Sequence, residues 1–104
     1  MNVTQELQKA KKPNRELDKL IADIVSYYYN IESEIPRFTS DYTFSIKYIE
    51  KRGFDWVMGN VNGQVGGTPY AHVGVPYDKS SYSGTPLLSL WLSYIRTNFG
   101  DERE

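Results

Sequence analysis

At 104 residues the chain has material for one domain with one core, and its formal net charge of -1 gives no broad electrostatic case for DNA or RNA binding. It has no Cys and one His, which removes disulfides, thiolate metal sites and a Cys nucleophile, and leaves little for a histidine-rich metal centre or a Ser-His-Asp triad. No run approaches a membrane span, and the first residues are polar without an apolar leader core, so a cytoplasmic protein is expected.

Met1 to Pro13 is polar, with Lys9, Lys11 and Lys12 ahead of the proline, and reads as a flexible arm over residues 1–14 or a short detached helix. Asn14 suits an N-cap, and Leu17, Leu20, Ile21, Ile24, Val25 and Tyr28 form a helical stripe of period 3.6. The opposite face holds Glu16, Asp18, Lys19 and Asp23, so this first helix is amphipathic. Tyr27, Tyr28 and Tyr29 stand at its end. After a connector to Pro36, Thr39 or Ser40 can cap a second helix, with Phe38 as its staple and Asp41 favoured by the positive end of the helix dipole. Arg52-Gly53 closes it.

Beyond Gly53 the period changes to two. Phe54, Trp56 and Met58 alternate with Asp55, Val57 and Gly59, and Asn62-Gly63 is a strong hairpin signal. The return is broken near Gly66 to Pro69 and resumes as a strand from Tyr70 to Val75. Gly66-Gly67 could approach a phosphate, but it does not stand in a dinucleotide-binding unit and reads as a bulge or turn. Pro76 to Ser83 is a polar loop.

The last helix starts at Thr85-Pro86 and is apolar almost all round, through Leu87, Leu88, Leu90, Trp91, Leu92, Tyr94, Ile95 and Phe99. It must be buried by more than one neighbour, as the centre of the core or as a subunit interface. Ser89, Ser93, Arg96 and Thr97 make its narrow polar stripe. The order α-α-β-β-α gives an α+β fold, a small antiparallel hairpin or meander sandwiched by helices over residues 15–100, with a charged tail at 101–104. So apolar a helix in so short a chain, together with open sheet edges, favours a homodimer or higher oligomer.

Pro36-Arg37-Phe38-Thr39-Ser40-Asp41 resembles the Pro-x-aromatic-Ser-Thr-Asp segment of the phage ABA-sandwich domain family. Thr85-Pro86 resembles that family's Ala-Pro or Thr-Pro entrance to the closing helix, and Glu16-Leu17-Asp18 its usual start. The likeness runs from about Arg15 to Phe99, with the order of Thr39 and Ser40 reversed. It implies a phage anti-defence protein of the Thoeris type: a sponge that binds a cyclic ADP-ribose isomer, or a cyclic oligonucleotide signal, without cleaving it.

Such a ligand needs a ring to stack on, cations for phosphate and polar groups for sugar. Arg96 reads as a phosphate clamp or as a cation at a helix C-terminus, with Thr97 and Asn98 beside it. Arg37 ahead of a helix start could complete an anion site, and Phe38 and Asp41 carry the family motif. Lys79 and Tyr82, with Ser80 and Ser81, form a loop able to close over a ligand. His72 could act as a base but has no evident nucleophile, and Trp56 and Trp91 read first as core. The expected partners are a nucleotide-derived small molecule and a second copy of the chain, with no metal, cofactor, membrane or DNA and no catalysis. The competing reading is an interaction module that inhibits a host protein through a Tyr-rich surface.

Overall fold

The computed structural model describes residues 2–60, 68–74 and 80–99. It is an α+β fold built on an antiparallel sheet, as the sequence leads one to expect. Its elements are α1 (Val3–Lys9), α2 (Arg15–Ile24), a 3-10 turn (Glu32–Glu34), α3 (Tyr42–Lys51), β1 (Trp56–Asn60), β2 (Pro69–Val73), β3 (Ser81–Tyr82) and α4 (Pro86–Phe99). The strands lie in the order β1-β2-β3, each pair antiparallel, with Met58 opposite Ala71 and Ala71 opposite Ser81. The Asn62-Gly63 turn and Gly66-Gly67 lie outside the described residues. Of the loop expected from Pro76 to Ser83, residues 76–79 lie outside the described residues, and Ser81–Tyr82 form the short third strand.

The last helix is the centre of the core. Thr85 Oγ1 accepts from the Leu88 N–H at 3.1 Å, and Pro86 takes the first helical position, where it has no N–H to satisfy. Every residue from Leu87 to Ile95 is buried. All three strands meet α4, and α1 packs on it as well. Ala71 and Val73 present one sheet face to the core, with Trp56 and Met58 half-buried beside them. Trp91 is fully enclosed; its indole N–H donates to Phe38 O at 2.8 Å and Ser45 Oγ at 3.0 Å. Phe38 and Tyr94 meet it edge-to-face and Tyr48 at a tilt, with Phe38 and Trp91 centroids 5.1 Å apart, and Phe44 packs in turn on Phe38.

Residues 3–9 are not a free arm. Asn2 caps α1 by accepting from the Gln5 N–H, and Val3 and Leu7 enter the core, Leu7 with no exposed surface. Burying a leucine stabilises by about 1.5–3 kcal/mol, enough to dock a two-turn helix that could not stand alone in water. Ser83 holds its far end, donating its hydroxyl to Leu7 O. Gly84 passes so close that a Cβ there would lie 2.4 Å from Ala10 O.

The first long helix stops at Ile24, short of the tyrosines, because Ser26 adopts φ 59°. The Tyr27 N–H returns to Ala22 O and the Ser26 N–H to Asp23 O, a Schellman closure with serine in the left-handed position. Tyr27 then turns inward against Phe38 and Phe44, while Tyr28 is 80% exposed.

Neither Thr39 nor Ser40 caps α3. Asp41 does, accepting from the Phe44 N–H at 2.9 Å. Thr39 is buried, and both its N–H and its hydroxyl donate to Asp18 Oδ1 at 2.8 and 2.7 Å. Asp18, itself buried, also pairs with Arg15 at 2.8 Å. The Arg15 guanidinium donates onward to the carbonyls of Glu32, Ile35 and Pro36. This network fixes the connector between α2 and α3 with paired charge, which is how a buried carboxylate is tolerated. Gly53 closes α3 as expected, at φ 86°.

Candidate functional site

The polar stripe of α4 is the natural place to begin, because its side chains stand on the face that meets the sheet edge. Ser89 Oγ donates to Thr85 O and accepts from the Ser83 N–H, both at 2.9 Å. Ser93 Oγ accepts from the Val73 N–H at 2.9 Å, and Thr97 Oγ1 donates to Val73 O at 3.2 Å. The two hydroxyls, one helical turn apart, therefore serve both backbone groups of Val73 where β3 has ended. This satisfies an edge that would otherwise be buried unpaired. Asn98 Nδ2 donates to Tyr94 O within the helix. The stripe is thus largely a seam between α4 and the sheet, and Thr97 and Asn98 have structural partners where the sequence suggested sugar or base contacts.

Arg96 is the charged member of the seam. It is half-buried, and its Nη1 donates to Ser81 Oγ at 3.1 Å. Ser81 is itself buried on the α4 side of the sheet. The next residue, Tyr82, alternates to the opposite face and is 48% exposed. Register places Val57, Gly59, Tyr70 and His72 on that same outer face. The Tyr70 ring lies over Gly59, within 3.5–3.8 Å of where a Cβ would stand. His72 Nδ1 is 3.1 Å from Ser80 Oγ. Sequence reasoning gave His72 no partner because Ser80 and Ser81 read as part of a loop, and only the β2–β3 register sets Ser80 across from it. A serine run eight residues downstream of the histidine was the available signal.

The other sequence candidates lie elsewhere. Phe38 is fully buried against Trp91 and cannot stack on a ligand. Arg37 and Asp41 are exposed at the α3 entrance, where the Asp41 N–H closes a turn onto Arg37 O at 2.7 Å. The Asp41 carboxylate already occupies the α3 N-terminus, which opposes an anion there. Among the described residues no hydrogen bond joins this group to Arg96, Thr97 or Tyr82. Lys79 lies outside the described residues.

A separate open groove of about 700 Å³ runs between α1, α2 and the 3-10 turn, past Ala10, Leu20 and Ile35. Its cations are engaged: Lys9 with Glu6, Arg15 with Asp18, and Lys19 with Glu32 at 2.9 Å. The Glu32 hydrogen bond raises the Lys19 pKa above its ordinary value, and Lys19 holds Glu32 below its own. An anionic ligand would have to break such pairs to bind. The described residues contain no cluster of three His, Cys, Asp or Glu able to hold a metal, and no helix long and apolar enough to cross a membrane. Compared with known proteins, the chain matches no family model, no curated protein and no solved structure.

Proposed function

We propose that the chain is a non-enzymatic binding protein, a phage anti-defence sponge that captures a nucleotide-derived immune signal of the cyclic ADP-ribose type in the cytoplasm of the infected bacterium. The observation that carries this reading is the placement of Arg96, half-buried beside β3 on the α4 side of the sheet; the exposed Tyr82 ring lies on the opposite face and does not join it. Arg96 offers the cation that the phosphate of such a ligand requires. The resemblance of the segment from Pro36 to Asp41 and of Thr85-Pro86 to the phage ABA-sandwich family supports it, and the core roles of Phe38 and Trp91 fit a rigid scaffold under the site.

A useful sponge must hold a scarce signal at nanomolar Kd, about -12 kcal/mol. Isothermal titration against cyclic ADP-ribose isomers and cyclic oligonucleotides tests this directly. Arg96→Ala should weaken binding by roughly 10–100-fold, from loss of a charge-assisted contact of about 1.5–3 kcal/mol, with the fold intact by circular dichroism. Absence of heat with every ligand in the panel overturns the reading. Release of intact ligand on heating the complex separates sequestration from hydrolysis.

A second reading rests on a different observation: Tyr28 is 80% and Ile31 59% exposed on one short connector. An exposed tyrosine beside an aliphatic side chain suits contact with a protein. A host protein retained by the intact chain and lost with Tyr28→Ser and Ile31→Ser would favour an inhibitory interaction module instead.

A further inference from the structure

The two edges of the sheet are finished differently. At β3 the strand is two residues long, and α4 hydroxyls serve the backbone of β2 beyond its end. At β1 the strand runs five residues, Trp56–Asn60. The Gly74 N–H donates to Asp55 O at 2.9 Å, which sets the phase of the β1–β2 ladder. With Trp56 opposite Val73 and Met58 opposite Ala71, alternation turns the N–H and C=O of Trp56, Met58 and Asn60 away from β2. The Val73 backbone, bonded to α4 rather than to β1, agrees with this phase. Among the described residues no backbone hydrogen bond reaches that outward row.

An open strand edge of this length is a template for another strand, and natural edges are usually blunted by Lys, Pro, bulges or inward charges. The sequence Trp-Val-Met-Gly-Asn has none of these. We infer that β1 pairs with β1 of a second copy of this chain, antiparallel about a twofold axis at Met58. This register sets Trp56 opposite the second copy's Asn60 and Met58 opposite Met58, so each outward N–H meets a C=O. It extends the half-buried surface of Trp56 and Met58 across the join and sets exposed Val57 opposite Gly59, beside the Tyr70 ring that covers that glycine. A formal net charge of -1 offers little repulsion between copies. The opposite edge, with only Ser81–Tyr82, is too short to propagate the pairing, so the assembly closes at two copies. The pairing is independent of any ligand.

The test is the mass of the full chain by light scattering after gel filtration, with single cysteines introduced into a chain that has none. The wild type should run as a dimer, twice 12.0 kDa. A nitroxide on Val57→Cys should show strong dipolar broadening, because the two Val57 positions would be diagonal neighbours about 7–8 Å apart. The same label on Tyr82→Cys should show none. Val57→Lys, which adds a charge to the edge, should give a folded monomer. A wild-type monomer up to the highest soluble concentration overturns the inference. So does a dimer that broadens at Tyr82→Cys or fails to broaden at Val57→Cys, since either places the contact elsewhere. If Val57→Lys does not fold, the two labelled variants still decide.

Discussion

Ser26 and Gly53 do the same job in consecutive helices, yet only one is the residue that the geometry prefers. Both stand just past a helix end at positive φ, 59° and 86°, and both are followed by an N–H that reaches back to close the last turn, from Tyr27 to Ala22 O and from Phe54 to Ile49 O. A non-glycine side chain in the left-handed region costs about 1 kcal/mol. Ser26→Gly should therefore raise the urea midpoint, by up to about 1 kcal/mol in unfolding free energy. Tyr94 gives a second residue-scale expectation. Burial raises its pKa above the ordinary value of 10.0, with the neighbouring Tyr48 adding to the shift. A raised pKa on a group that is neutral when protonated means the folded state resists ionisation. The stability this represents is complete below the unfolded pKa, near 10, and is lost as pH rises through the folded value. Thermal unfolding followed across this alkaline window should show a fall in midpoint that Tyr94→Phe reduces.

Among the elements, α1 is the least autonomous. It spans seven residues, too few to hold together in water alone, and depends on Leu7, Val3 and the clasp from Ser83-Gly84. Gly84→Ala tests the clasp. Its Cβ would fall 2.4 Å from Ala10 O and 2.6 Å from Lys11 Cα, both backbone atoms, so α1 must move rather than a side chain. The expected cost is about 1–3 kcal/mol, with faster amide exchange in α1 and little change in α3. The seam between α4 and β2 is the opposite case. There the helix contributes hydroxyls to a strand, and the sheet gains a boundary that needs no further strand.

At the scale of the whole molecule, what the sequence makes legible is what local chemistry decides. Thr85-Pro86 announces the start of α4, Arg52-Gly53 the end of α3, and the run of apolar residues around α4 its central place, all of which the structure bears out. Alternation after Gly53 gives the β1–β2 pairing. What stays hidden is whatever depends on a distant partner. Thr39 looks like a cap because a hydroxyl before a helix usually is one, but Asp18, 21 residues away, claims it. Met1 to Pro13 looks like an arm because only Val3 and Leu7 are strongly apolar, and nothing local says that α4 will receive them. The candidate site divides in the same way. Arg96 reaches the sheet edge, whereas Phe38, drawn from a motif that reads as a binding segment, goes to the core.

The central place of α4 has a consequence for the order in which the chain can acquire its fold during synthesis. Every other described element precedes residue 86, yet the aromatic cluster around Trp91, the seat of Leu7 and the finish of β2 all need the helix that follows it. Contacts such as Ser83 with Leu7, 76 residues apart, close late and slowly. While translation proceeds, the emerging polypeptide has two tyrosine-rich segments and a hydrophobic hairpin with no core to join. A fragment covering residues 1–85 should lack a cooperative melting transition and bind a hydrophobic dye, and adding residues 86–99 should restore both the transition and the burial. The protein is therefore expected to lean on ribosome-associated chaperones until its final helix emerges, and then to fold in a single concerted step.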